Sequence, residues 1–287
     1  MTRAPEVHGF HDPATGAVAY VVADPRAGVC AVFDPVLDYD PRSGRTATDS
    51  ADRLAAFARE RGWRVEWLID THVHADHLSA LGHLASTLGG RTAIGRRVDV
   101  VQRTFAEIYG LRGFPADGSQ FDHLFEDGEV WRLGGIEARS LHTPGHTPAC
   151  MTHVVGDAAF VGDTLFMPGY GTARCDFPGG GARILWRSIR RILDLPGETR
   201  LFVAHDYPAE GRQAEFETTV AAQREGNVHV RDGLDEEDFV AMRERRDETL
   251  ELPALMLAAL QVNIRGGRLP EPEADGHRYL RIPLNRL

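Results

Sequence analysis

The sequence predicts an α/β fold in which two mixed β-sheets are faced by helices. Short apolar runs bounded by turn residues follow one another through the first 205 residues. Segments of helical spacing fall between them, and a tight hairpin sits at mid-chain. AVAYVVAD (17–24) and GVCAVFDP (28–35) read as paired strands joined by a turn, and VEWLID (65–70) as a third strand. DSADRLAAFARERG (49–62) carries an acidic or hydroxyl cap, apolar Leu54, Phe57 and Ala58 on one face, and a closing Gly62, so it reads as a helix. HLSALGHLASTLGG (77–90) reads as a helix ending in glycines.

Further on, IEARSLHT (136–143), CMTHVV (150–155), AAFVGD (158–163) and RLFVAHD (200–206) are strand-like, with Gly156-Asp157 as the hairpin turn between two of them. Ile184, Leu185, Ile189, Ile192 and Leu193 repeat at helical spacing in GARILWRSIRRILDL (181–195). The last 80 residues change character: EEDFVAMRERRDETL (236–250) is a charged helix and the stretch from Pro270 onward is proline-rich. The expected division is a core domain over 1–207 and a helical and proline-rich extension over 208–287 packed on it.

Composition narrows the function classes. A chain of 287 residues with 43% hydrophobic and 26% charged residues is ordinary for a globular protein with a substantial core. Its formal net charge of −10 argues against a nucleic-acid surface, which needs a basic excess. Cys30, Cys150 and Cys175 are too few and too scattered for a disulfide framework. No run approaches the roughly 20 apolar residues of a membrane span, and MTRAPEVHGFHDPATG lacks a signal-peptide core. A reduced, cytoplasmic protein without nucleic-acid or membrane partners is the expectation.

The chemistry concentrates in Thr71-His72-Val73-His74-Ala75-Asp76-His77, directly after the strand VEWLID. Three histidines and a carboxylate are costly to bury unless their lone pairs and charge are used. Alternation along an extended stretch sends His72 and His74 to one side, and the following turn can bring Asp76 and His77 round nearby. His146 (in His142-Thr-Pro-Gly-His146-Thr), Asp163 (in Phe160-Val-Gly-Asp163) and His205 (in Leu201-Phe-Val-Ala-His205-Asp206) each follow an apolar strand. Ligands at the ends of separate strands can converge on one edge of a sheet. Imidazole and carboxylate suit Zn²⁺, Fe²⁺ or Mn²⁺.

The order HxHxDH, GHT, GD and late His, over residues 71–205, resembles the metallo-β-lactamase superfamily and implies its αββα sandwich. His74 distinguishes the chain from flavodiiron proteins, which carry Glu there. Asp176-Phe177, in Gly169-Tyr170-Gly171-Thr172-Ala173-Arg174-Cys175-Asp176-Phe177, resembles the persulfide dioxygenase branch, near the bacterial β-lactamase-like proteins of sulfide detoxification. Asp34-Pro35-Val36-Leu37, His205-Asp206-Tyr207, Glu237-Asp238-Phe239-Val240 and Val262-Asn263-Ile264-Arg265 are similar to that group as well. Two departures stand out: Thr172-Ala173 lengthens the family's Gly-Arg step, and Cys175 replaces its Thr. Cys175 is either a small buried residue or a persulfide carrier.

The resemblance implies one Fe(II) per chain, held by His72, His146 and Asp163, that oxidises a thiol persulfide with O2 to sulfite and thiol. His74, Asp76, His77 and His205 would then support the ligands and the local proton balance. The same residues also complete a second metal site: with His74 joining His72 and His146, Asp163 could bridge to an ion held by Asp76, His77 and His205. That arrangement implies a dinuclear zinc thioester hydrolase of the glyoxalase II type. A non-catalytic metal-binding or sulfur-carrier module is the third reading, though structural zinc sites are usually closed by cysteine. Arg174 either pairs with a substrate carboxylate or forms a structural salt bridge; Tyr207 either contacts the thiol carrier or packs. Asp206 is expected to be a structural acceptor, and the assembly a homodimer.

Overall fold

The computed structural model describes residues 4–286. The chain runs through β1 (Glu6–His11), β2 (Val18–Asp24), β3 (Val29–Phe33), β4 (Val36–Asp40), β5 (Arg45–Ala47), α1 (Asp49–Glu60) and β6 (Arg64–Ile69). Then come β7 (Leu78–Ser79), α2 (Leu81–Leu88), β8 (Arg91–Gly95), α3 (Val98–Ile108) and β9 (His123–Phe125). The second half holds β10 (Val130–Leu133), β11 (Ile136–His142), β12 (Met151–Val155), β13 (Ala158–Phe160), a 3-10 turn (Gly162–Thr164), α4 (Ala182–Leu193) and β14 (Arg200–Phe202). It ends in β15 (Glu217–Thr219), α5 (Val220–Gly226), α6 (Glu236–Asp247) and α7 (Met256–Asn263).

One sheet has the order β1-β2-β3-β6-β8-β9 and the other β10-β11-β12-β13-β14-β15. Both are mixed: β3, β6, β8 and β9 run parallel, as do β13 and β14, while the remaining pairings are antiparallel. Because β2 and β3 are covered on both faces, their sequences are nearly continuous apolar runs. Ala19, Val21, Ala23, Cys30 and Val32 point outward to a core shared with α1, α2, α3 and α7. The alternate residues Val18, Tyr20, Val22, Val29, Ala31 and Phe33 point inward and meet the second sheet. There Phe160 stacks between Phe33 (4.5 Å) and Phe202 (5.2 Å). A third core packs α4 and α6 on the far face of the second sheet. These layers make an αββα sandwich.

Departures from the sequence expectations cluster where the chain turns toward one edge of the sheets. The helix expected over 77–90 begins at Leu81, because Leu78 and Ser79 form β7 and pair with β4. The strands expected over 158–163 and 200–206 stop at Phe160 and Phe202, so the residues beyond are free of the ladder. Beyond residue 207 the chain is woven into both halves: β15 pairs with β14, α6 contacts α4, and α7 contributes Met256, Leu260 and Val262 to the first outer core. The charged stretch 236–250 is helical to Asp247, opened by Asp235, whose carboxylate accepts from Asp238 N at 2.8 Å. Among the described residues no helix is long and apolar enough to cross a membrane.

Phe160 is 1% exposed and touches aromatic rings from both sheets. Phe160→Ala should therefore cost about 3–5 kcal/mol in urea unfolding, as large truncations in packed cores do. A loss below about 1 kcal/mol would show that the two sheets are not joined through this ring.

Candidate metal centre

Four segments deliver the site. The loop after β6 carries His72, His74, Asp76 and His77; the β11–β12 connection carries His146; the turn after β13 carries Asp163; the segment after β14 carries His205. Gly162 makes the third of these possible. Its φ is +53°, and a Cβ there would lie 2.7 Å from Thr71 Oγ1, so a side chain would meet both strain and collision.

The loop of histidines is organised by Asp34. This non-glycine residue sits at φ 49° just after β3, a conformation that costs energy unless its surroundings impose it. Its N–H donates to Ile69 O at 2.9 Å, and its carboxylate accepts from Thr71 N (2.7 Å), Thr71 Oγ1 (2.9 Å) and His74 Nε2 (2.9 Å). Since the Thr71 hydroxyl donates to Asp34, it accepts from His72 Nδ1 at 3.1 Å. This assignment follows from the network and leaves His72 Nε2 bare. The Asp34 carboxyl is pushed up by burial, an effect opposed by His72 and by the Thr71 hydrogen bonds.

His146 is oriented the same way, its Nδ1 donating to Arg174 O at 2.7 Å. Its Nε2 lies 3.5 Å from Asp163 Oδ2, and His72 Nε2 lies 3.7 Å from the same oxygen. Such separations suit three ligands each about 2.0–2.2 Å from one ion. His72, His146 and Asp163 are all buried. Buried and without a hydrogen-bond partner are His72 Nε2, His74 Nδ1, His77 Nε2 and Asp163 Oδ1. Orphaned buried polar atoms are costly, and a bound cation would satisfy them. Burial, with the neighbouring imidazole of His74, holds His72 well below the usual histidine range; burial and His77 do the same to His74. Both are neutral, as ligands must be.

The other candidates form a flanking group. Asp163 Oδ1 is 3.3 Å from His205 Nε2, which is 3.4 Å from Asp76 Oδ2. Asp163 thus offers one oxygen to each group. His74 falls into a set with Asp76 and His77 and is not within 4.8 Å of every ligand atom of the His72–His146–Asp163 triad. His77 Nδ1 is 2.9 Å from Asp76 Oδ2. Burial opposes its charge, yet Asp76 prevails and raises it to about 9. A further set, Asp34, Asp70 and His74, is only partly tied up internally: His74 Nε2 donates to Asp34 and Ser79 Oγ donates to Asp70 Oδ1, while Asp70 Oδ2 is buried without a partner.

The two expected substrate residues fare differently. Tyr207 lines the main pocket, half exposed, with its ring stacked on His205 and its hydroxyl 3.3 Å from His205 Nδ1. Arg174 also lines the pocket, but its fork is occupied. Nε and Nη2 donate to the two oxygens of Asp176 at 2.6 Å each, and Nη1 donates to Glu251 O at 2.6 Å. A substrate carboxylate would have to displace Asp176. Cys175 is buried, donates to Asp247 Oδ2 at 3.3 Å, and is pushed up to about 12 by burial and by Asp247, which leaves little thiolate. Asp206 accepts two hydrogen bonds from Arg212 and one from Glu215 N, a structural role.

Two residues have supporting roles that the sequence alone does not assign. Asn263, at the end of α7, accepts from Ser79 N at 2.7 Å and donates to His74 O and His77 O at 2.8 Å each. Arg243, 1% exposed, donates to Asp247 and, at 3.1 Å, to Thr172 O, while Asp247 accepts from Cys175 N. The i,i+4 spacing of Arg243 and Asp247 was visible, but it looks like an ordinary solvated pair. Asn263 stands in a stretch that carries the family resemblance, but that resemblance does not reveal its hydrogen bonds.

Fold and site together define a metal-dependent enzyme of the α/β class with His and Asp ligands. The metallo-beta-lactamase superfamily matches residues 12–205, and the chain belongs to that superfamily. It is 56% identical to a protein of Burkholderia pseudomallei named "Probable metallo-hydrolase", over 98% of this chain and 99% of that one. It is 55% identical to the "Beta-lactamase hydrolase-like protein" of Xylella fastidiosa, but spans 66% of that longer relative. The human persulfide dioxygenase ETHE1 is 32% identical over 68% of this chain and 66% of its own. The crystal structure of ETHE1 from Myxococcus xanthus covers 92% of this chain and all of that one, with a TM-score of 0.73 and 26% identity.

Asn263→Ala should leave one donor and two acceptors of the metal loop unpaired. At about 1–3 kcal/mol per buried group, the variant should unfold at clearly lower denaturant and retain less metal by elemental analysis. Wild-type metal content in a destabilised Asn263→Ala would show that the loop holds its shape without α7.

Proposed function

We propose that the protein is an iron-dependent persulfide dioxygenase: RSSH + O2 + H2O gives RSH + H2SO3. The observation that carries this reading is the convergence of three ligand atoms, with His72 Nε2 and His146 Nε2 at 3.7 and 3.5 Å from Asp163 Oδ2. Two histidines and one carboxylate on one face suit non-haem Fe(II) and leave coordination positions for both O2 and a sulfur anion. Iron bound there would supply O2 activation and Lewis acidity toward sulfur. The likeness to proteins named persulfide dioxygenase supports the same reading.

The chain's own residues bind, orient and shield. Asp34, through Thr71, fixes His72, and the Arg174 carbonyl fixes His146, so both rings present Nε2. The pocket of about 530 Å³ over the triad is large enough for a small thiol carrier. Tyr207 and His205 form one wall of it, and the Tyr207 hydroxyl offers a hydrogen bond to the entering thiol. Because Arg174 is tied to Asp176, its contribution is to shape the pocket and hold His146.

A second reading is kept for one observation: Asp163 Oδ1 faces His205 and Asp76, as a bridging carboxylate of a dinuclear zinc hydrolase would. Names such as metallo-hydrolase among the relatives fit it. Metal analysis of protein purified without added metal, with an oxygen electrode, separates the two. About one iron per chain and persulfide-dependent O2 uptake is the expected result; two zinc ions and rapid thioester cleavage would replace the proposal. Alanine at His72, His146 or Asp163 should strip the iron. His205→Ala should keep most of it and lose roughly 10–100-fold in rate, as changes beyond the ligands do. Equal iron loss in His205→Ala would overturn the mononuclear assignment.

Arg174 gives a further test. With its fork bound to Asp176, Arg174→Ala should reduce kcat/KM alike for persulfides with and without carboxylates, and Asp176→Asn should reproduce much of that loss. A defect confined to carboxylated persulfides would show that the guanidinium leaves Asp176 to read the substrate.

A further inference from the structure

Two chambers share the His146 corner of the triad. The larger, about 530 Å³, is bordered by Asp76, Asp163, His205 and Tyr207. The smaller, about 280 Å³ and half open to solvent, is lined by the apolar Ile108, Phe177, Pro178, Leu252 and Met256 together with the charged Arg174, Asp176 and Arg286. Ala75, His146, Arg174 and Pro253 border both chambers, so the imidazole of His146 stands in the wall between them. Phe177 flanks that imidazole with ring centroids 6.2 Å apart. The charged groups on the small chamber are accounted for: Arg174 and Asp176 neutralise each other in a two-point ion pair, and Arg286 is exposed at the outer end.

We propose that the smaller chamber is the entry and holding site for O2, while the larger receives the persulfide. The inference rests on the dioxygenase reading and adds a separate route for the second reactant. A thiol carrier seated in the large pocket covers the face of the metal it approaches, so an independent path is needed for a co-substrate that must reach the same ion. O2 is small and apolar. The apolar side chains of this half-open pocket offer water few hydrogen bonds, so a small apolar gas competes with it there. An anionic persulfide pays a desolvation cost on entering such a lining, so the chamber discriminates against it. The Arg174–Asp176 pair then acts as the partition, which accounts for a guanidinium that lines the substrate pocket yet is committed to a neighbour.

The test fills the chamber without touching a ligand. Leu252 is 54% exposed in the segment before α7, so Leu252→Trp does not strain the core; Ile108→Phe narrows the chamber from α3 as a second variant. Steady-state kinetics should show KM for O2 rising several-fold in both, with KM for the persulfide and kcat at saturating O2 unchanged. Independently of activity, crystals of the wild-type protein pressurised with xenon should show the gas in this chamber, and Leu252→Trp should expel it. An empty chamber under xenon, an unchanged KM for O2 in the filled variants, or a rise in the persulfide KM instead would overturn the route. If iron-loaded wild-type protein takes up no O2 with any persulfide, the functional reading fails and the O2 assignment with it. Normal uptake with an unchanged KM for O2 refutes the chamber alone.

Discussion

The carboxylate of Asp34 is the constraint on which the site depends. It joins the end of β3 to the loop after β6 by three accepted hydrogen bonds, two from Thr71 and one from His74. The backbone at Asp34 is left-handed, so the residue is held in place by what it binds and not by local preference. One outcome is a defined tautomer for His72 and His74, with Nε2 bare in the first and Nδ1 bare in the second. Buried imidazoles with a single available lone pair are poor partners for each other and good partners for a cation. The sandwich thus spends strain and burial on a set of atoms that only a metal completes.

The C-terminal residues carry the second half of that constraint. Asn263 satisfies three backbone groups of the metal loop from across the outer core. Arg243 and Asp247 pin Thr172 and Cys175, and so fix the segment whose Arg174 carbonyl orients His146. Both ligand histidines of the triad are therefore positioned by hydrogen bonds that trace back to distant parts of the chain. The stretch after residue 207 belongs to the working of the site as much as to its cover.

Asp163 gives the centre its asymmetry. Its two oxygens face different groups, His72 with His146 on one side and His205 with Asp76 on the other. On the second side His77 and Asp76 already form an ion pair, with His77 raised to about 9. Bare buried atoms stand on both sides, His72 Nε2 on the first and His77 Nε2 with Asp163 Oδ1 on the second.

Much of this was legible in the chain itself. Apolar runs with turn residues at their ends announce mixed sheets, and HxHxDH, GHT, GD and a late His announce a metal site, because strand ends are where ligands can converge. The signal was strong because those residues act through their own side-chain chemistry and stand at spacings set by the strands before them. What tertiary structure decided is how their remaining atoms are used. Whether Arg174 is a free fork or half of an ion pair depends on where Asp176 and Glu251 fall in space. Leu78 and Ser79 look helical in sequence, yet they become a strand because β4 and Asn263 supply partners for their backbone. Asp34 and Asn263 stand in stretches that carry the family resemblance, but their roles are not legible there, since the Asp34 carboxylate binds Thr71 37 residues on and Asn263 binds Ser79 184 residues back. Local sequence specifies which atoms can bind a metal; only the packed fold determines which of those atoms are left unpaired to do so.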